Sequence, residues 1–177
     1  MSAAARMTFA EFEQYQDDGM KHELLLGEHI VLPRPNVRTS LIQHRLHDLL
    51  LPQLKQVGRD RVFILAGFLL SLDTFLQPDV SFVRSAHLQA SDPDGYLAGA
   101  PAIAIEVASD SDTAAQLDLK MEQYFAHGSE EVWVVYPETR KVCVHYPNGR
   151  GRTVTGAELR SDQFPGWSIA VDSLFED

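Results

Sequence analysis

The spacing of apolar positions changes along this chain, and the changes mark out its elements. Thr8–Phe9–Ala10–Glu11 reads as a capping box that opens a short helix to about Asp18, with Gly19 ending it. Glu23–Leu24–Leu25–Leu26 and His29–Ile30–Val31–Leu32, joined at Gly27–Glu28, predict a hairpin that Pro33 and Pro35 stop. From Val37 to about Val57 the positions Leu41, Ile42, Leu46, Leu49, Leu50 and Leu54 recur at helical spacing, and Pro52 is expected to kink that helix or end it early. Val62–Leu65 and Phe68–Leu72 predict strands around Ala66–Gly67, and Asp79–Val83 predicts a third behind Pro78. Residues 84–101 carry Asp92–Pro93–Asp94–Gly95 and Gly99–Ala100–Pro101 and read as a long loop.

The run Ala102–Ile103–Ala104–Ile105–Glu106–Val107–Ala108 has the length and composition of a buried strand. After it, Ser109–Asp110–Ser111–Asp112 offers N-caps for a helix from about Asp112 to His127, closed by Gly128. Leu117, Met121, Tyr124 and Phe125 form its apolar stripe, with Lys120 on the margin. Glu131–Tyr136 and Lys141–Tyr146 predict a second hairpin, Arg152–Thr155 and Trp167–Val171 edge strands, and Leu174–Phe175 a tucked end. Helix, strands, helix, strands is the order of a mixed α/β (α+β) domain with helices on a mixed sheet, and residues 1–177 make one such domain.

Composition narrows the function classes. A formal net charge of −10 argues against broad, charge-driven affinity for nucleic acid, though it leaves room for a local basic groove. The single cysteine, Cys143, excludes an intrachain disulfide and fits a cytoplasmic home. No apolar run approaches the ~20 residues of a membrane span, and Met1–Arg6 lacks the apolar core of a signal peptide.

The chemistry gathers around Glu106. An ionised carboxylate inside an apolar strand costs several kcal/mol unless it has a metal, a cation or a raised pKa. Lys120 either snorkels outward along its stem or reaches across to Glu106. Hydrolysis of a phosphodiester needs a nucleophilic water and a sink for phosphoryl charge. Mg²⁺ or Mn²⁺ on two carboxylates and a backbone carbonyl supplies both, and a nearby lysine orients or deprotonates the water. Asp79, Glu106 and the Val107 carbonyl are the candidate metal contacts, with Glu23 adding a carboxylate from the first hairpin. The seven histidines lack zinc spacing: His44 and His47 share a helix face without an HExxH pattern.

Pro78–Asp79, Glu106–Val107–Ala108–Ser109, Lys120 four residues before Tyr124, and Gly128–Ser129–Glu130–Glu131–Val132–Trp133–Val134–Val135 occur in this order. The set resembles the Uma2 family of endonucleases, of the PD-(D/E)XK or restriction-endonuclease-like superfamily. His22–Glu23–Leu24 and Gly27–Glu28 are similar to that family's opening, and the likeness runs from about Thr8 to Tyr146. It implies that Asp79 and Glu106 are metal-binding acids and that Lys120 is the catalytic lysine, moved from the strand to the helix. It also implies that Glu23 is an accessory acid. Ala108 stands where the strand form of the motif has its lysine, His22 where the family has an aromatic, and Thr39 where it often has a histidine. The expected activity is divalent-metal-dependent cleavage of nucleic acid, DNA first, by a homodimer. The alternatives are a non-catalytic module of the same fold that binds nucleic acid or protein, and a metal-free hydrolase using Glu106 as an acid.

Overall fold

The computed structural model describes residues 6–15, 18–54, 60–109 and 111–176. In chain order its elements are α1 (Phe9–Phe12), β1 (Lys21–Leu25), β2 (Glu28–Leu32), α2 (Val37–Leu54), β3 (Arg61–Ile64), β4 (Phe68–Ser71), β5 (Thr74–Leu76), β6 (Val80–Val83), α3 (Ser85–Ala90), β7 (Leu97–Ala98), β8 (Ile103–Val107), α4 (Ala114–Ala126), β9 (Glu131–Tyr136), β10 (Lys141–His145), β11 (Gly151–Thr155), β12 (Glu158–Arg160) and β13 (Ser168–Ala170), with a closing 3₁₀ turn over Val171–Leu174.

The central sheet has the order β11-β10-β9-β8-β6-β3 and is mixed, because β8 and β9 run parallel while its other pairs are antiparallel. That parallel pair needs a crossover, and α4 supplies it. A second sheet, β2-β1-β5-β4-β7, and the ribbon β12–β13 complete the fold. Ile42, Leu46 and Leu50 of α2 bury one face of the central sheet together with Ile103, Ile105 and Trp133. On the opposite face Ala104 and Val132 meet Tyr124 of α4 and the side chains of Leu25, Phe68 and Leu76 from the second sheet. β8 is therefore covered on both sides, which is why it reads as a continuous apolar run.

Most predicted elements are present, and the differences have local causes. The first helix stops at Phe12; turn hydrogen bonds carry the chain on to Tyr15, and residues 16 and 17 of the predicted stretch lie outside the described residues. Its capping box is present, with Thr8 N–H and Oγ donating to Glu11 at 2.7 and 2.8 Å. The first turn sits one residue earlier than predicted. Leu26 and Gly27 take φ of 52° and 78°, the double positive φ of a two-residue hairpin turn, so Leu25 pairs with Glu28. α2 holds Pro52 in its last turn and reaches Leu54, and the predicted continuation to Val57 lies outside the described residues. The segment 84–101 is less of a loop than expected: it contains α3 and β7, and β7 pairs with β4. The cap of α4 is Thr113, whose Oγ accepts from Gln116 N–H, while Ser109 and Asp112 close a separate turn before it. β5 and β12, three residues each, went unpredicted because strands so short carry almost no period.

Candidate active site

Alternation along β8 places the first acid. Ile103, Ile105 and Val107 pack towards α2, so Ala104 and Glu106 point to the face covered by α4 and the second sheet. β6 runs antiparallel beside it, with Val80 opposite Ile105 and Ser81 opposite Ala104. One step further in that register sets Asp79 level with Glu106. The join is tied by a hydrogen bond: Val107 N–H donates to Asp79 Oδ2 at 2.6 Å. Asp79 Oδ1 accepts from Gln43 Nε2 of α2 at 2.8 Å, so α2 and the neighbouring strand β8 both hold this carboxylate in place.

The third and fourth predicted residues come from other elements. Lys120 is 2 % exposed, which disposes of the snorkelling alternative. Its Nζ lies 2.6 Å from Glu23 Oε2 and 3.6 Å from Glu106 Oε1. Tyr124, one turn on, donates its hydroxyl to Glu106 Oε1 at 2.7 Å. The buried stripe of α4 is thus Leu117, Lys120 and Tyr124, with Met121 and Phe125 only half-buried, a departure from the predicted stripe. Glu23 is fully buried on β1, accepts from Gln77 N–H at 2.9 Å and lies 3.3 Å from Lys21 Nζ. So Asp79, Glu106, Lys120 and Glu23 converge from the residue before β6 and from β8, α4 and β1.

Lys21, Gln43 and the hydroxyl of Tyr124 join the cluster without a signal of their own in the sequence. Lys21 stands two residues before Glu23, and period-2 alternation puts both on one face of β1. Gln43 and Thr39 are four apart on α2 and buried, a polar pair beside its apolar stripe. Tyr124 belongs to the predicted apolar stripe, and its hydroxyl is what reaches Glu106. His22, by contrast, projects to the other face of β1, where it meets His29 and Asp18, each at 2.8 Å.

The cluster sets three buried carboxylates, Glu23, Asp79 and Glu106, against two ammonium groups, the buried Lys120 and the half-buried Lys21. That set is one positive charge short. The shortfall falls on Glu106: burial pushes its carboxyl up to about 7, against the pull of Lys120 and Lys21, and Glu23 and Asp79 add to the rise. Burial would also raise Glu23, but Lys21 and Lys120 overcome it and hold that carboxyl at about 2. Lys120 is opposed by burial and raised by Glu106 and Glu23, the net being a well-raised pKa. Lys21 is likewise raised, burial being outweighed by Glu23, Asp79 and Glu106. Both shifts favour the charged ammonium form of Lys21 and Lys120.

A cavity of about 460 Å³ opens onto the cluster, lined by Asp79, Glu106, Val107, Lys21, Thr39 and Asp112 among others. Lys120 and Glu23 are absent from this lining and lie below it. Among the described residues, no three His, Cys, Asp or Glu side chains group so as to hold a metal ion. Two acids, a main-chain oxygen and solvent are a donor set suited to a hard divalent cation, which keeps several waters when bound. The missing positive charge points the same way.

The Uma2 family, described as "Putative restriction endonuclease", matches residues 9–172. A crystal structure at 1.96 Å of "a putative nuclease belonging to DUF820" from Anabaena variabilis ATCC 29413 superposes with a TM-score of 0.83 at 20 % identity, covering 96 % of this chain and 97 % of that one. At that identity the likeness concerns the fold. No curated protein matches this sequence.

Proposed function

The chain belongs to the Uma2 family, and from that premise we propose that it is a divalent-metal-dependent endonuclease acting on nucleic acid, with DNA as the substrate. The observation that carries the reading is the meeting of Asp79 and Glu106 at one cavity, level across two paired strands and braced by the Val107 N–H. Asp79, Glu106 and the Val107 carbonyl would hold Mg²⁺ or Mn²⁺, which when bound activates water and neutralises phosphoryl charge. The protein's own groups do the rest. Lys120, in contact with Glu23 at 2.6 Å and 3.6 Å from Glu106, holds the two acids in register and supports the orientation of the attacking water. Lys21 lines the cavity while its Nζ lies 3.3 Å from Glu23, and it would supply the positive charge facing a phosphoryl oxygen. Tyr124 fixes the rotamer of Glu106 by its hydrogen bond.

The test is cleavage of plasmid and oligonucleotide DNA with Mg²⁺, with Mn²⁺ and with EDTA. Glu106→Gln should lower cleavage at least 100-fold, and EDTA should abolish it. Cleavage that survives chelator would transfer the site to a metal-free hydrolase with Glu106 as its acid. A clean preparation that cuts nothing would leave the non-catalytic module. The same reading includes a homodimer whose two sites cut opposite strands, and a monomeric mass in light scattering would remove that part. A cytoplasmic setting is supported by the lone Cys143, and among the described residues no helix is long and apolar enough to cross a membrane.

A further inference from the structure

A second cavity, of about 480 Å³, opens beside the first, and Lys21, Arg34 and Pro35 line both. Its walls are aromatic. Tyr15 and Tyr96 line it at 53 % and 47 % exposure, over a floor that includes Phe9 and Phe75. These half-open rings are held in place. Tyr96 packs against Phe75 at 4.8 Å and 73°, and against Phe9 at 5.6 Å and 88°. Tyr15 lies 4.4 Å from the His29 ring. Gly67 lets two of the rings lie close on the backbone: a Cβ there would stand 2.5 Å from Phe75 Cζ and 2.9 Å from Tyr96 Cδ1. Aromatic surface fixed by its own packing loses little freedom when a ligand arrives.

We propose that this cavity receives an unstacked nucleobase of the strand being cut, while the phosphodiester backbone crosses the seam at Lys21 and Arg34 into the acidic cavity. The proposal rests on the nuclease reading above and narrows its substrate to single-stranded or locally opened nucleic acid. A base paired within a duplex cannot present its face to a recessed pocket; an extruded or single-stranded one can. The charge balance favours stacking as the main contact. At −10, the chain cannot gather nucleic acid by positive charge alone, whereas base–aromatic stacking needs no net charge. The shared cations put phosphate and base on opposite sides of one rim, as one nucleotide requires.

The experiment is a fluorescence titration of the intact protein into a single-stranded oligonucleotide carrying 2-aminopurine, in EDTA, so that binding is read without cleavage. The expected result is saturable quenching, with Tyr96→Leu and Tyr15→Leu each weakening binding roughly 5- to 150-fold and Tyr96→Phe restoring it. Both tyrosines are half-exposed, and a circular dichroism melt shows whether the leucine variants keep the fold. Absent quenching, leucine variants that fold and bind as tightly as the parent, or a blunt duplex that displaces the probe as well as single strand would each overturn the proposal. Cleavage lost on Glu106→Gln but unaccompanied by quenching would overturn the base site and leave the nuclease reading standing. Quenching without any cleavage would support the base site and remove the nuclease reading.

Discussion

Glu106 carries a proton at a pH where an ordinary glutamate has lost it, and this has a consequence for stability. Its carboxyl titrates near 7 in the fold against 4.5 for the ordinary group, so the folded state binds a proton between those values that the unfolded state has released. The stabilisation is complete below 4.5 and disappears as pH rises through about 7, a loss on the order of 3 kcal/mol. Glu106→Gln keeps the hydrogen bond from Tyr124 and removes the titration. The expected outcome in EDTA is equal melting temperature for parent and variant near pH 5, and a higher one for the variant at pH 8. A parent protein with a flat pH profile would show that the carboxyl is not crowded as the structure has it. Mg²⁺ should raise the pH 8 melting temperature of the parent only, because the cation takes the place of the proton. This residue was legible from sequence because burial makes a lone acid conspicuous inside an apolar strand. Lys21 and Gln43 were not, because each stands in a segment where a polar residue on the solvent face is the ordinary expectation, and only tertiary contact turns them inward.

At the scale of elements, the question is which one carries the working lysine. β1 presents Lys21 to the cavity wall, while α4 drives Lys120 beneath it into contact with Glu23 at 2.6 Å. Removing one partner of a buried ion pair leaves an uncompensated charge and typically costs about 3–5 kcal/mol. Lys120→Met should therefore show its main effect in thermal or urea unfolding. Lys21→Met should show a smaller stability loss and a larger fall in kcat, with Lys21→Arg recovering part of it. Denaturation and steady-state cleavage on both variants separate the roles, and the reverse ranking would return the substrate contact to α4. The sequence revealed β8, α4 and β9 through long runs of one period, and register then followed from β6 pairing with β8. It hid the split between the two lysines, because helical spacing puts Lys120 on a margin and leaves its depth to the packing of Leu117 and Tyr124. The mistaken loop over residues 84–101 has the same origin: α3 and β7 are too short to show a period and are held by contacts with distant segments, β7 on β4 and Ser85 N–H on Asp60.

For the molecule as a whole, net charge and site chemistry pull in opposite directions, and salt dependence measures the balance. A nucleic-acid binder that neutralises Z phosphates loses affinity with a log–log salt slope of about −0.7Z on single strands. Here 25 acidic residues face 15 lysines and arginines, and Lys21 and Arg34 are the cations common to both cavities. With Lys21 already paired to Glu23 and Arg34 donating to Gly19 O, Z is at most two and the slope should be no steeper than about −1.4. Most of the affinity would then persist at high ionic strength, because stacking is not screened. Titrating the single-stranded probe in EDTA from low to high salt gives the slope directly. A value steeper than about −4 would require a basic surface elsewhere on the protein and would take the binding away from these two cavities. A value near zero would mean that no phosphate crosses the Lys21–Arg34 seam, which would detach the aromatic pocket from the acidic one even if each bound its own ligand.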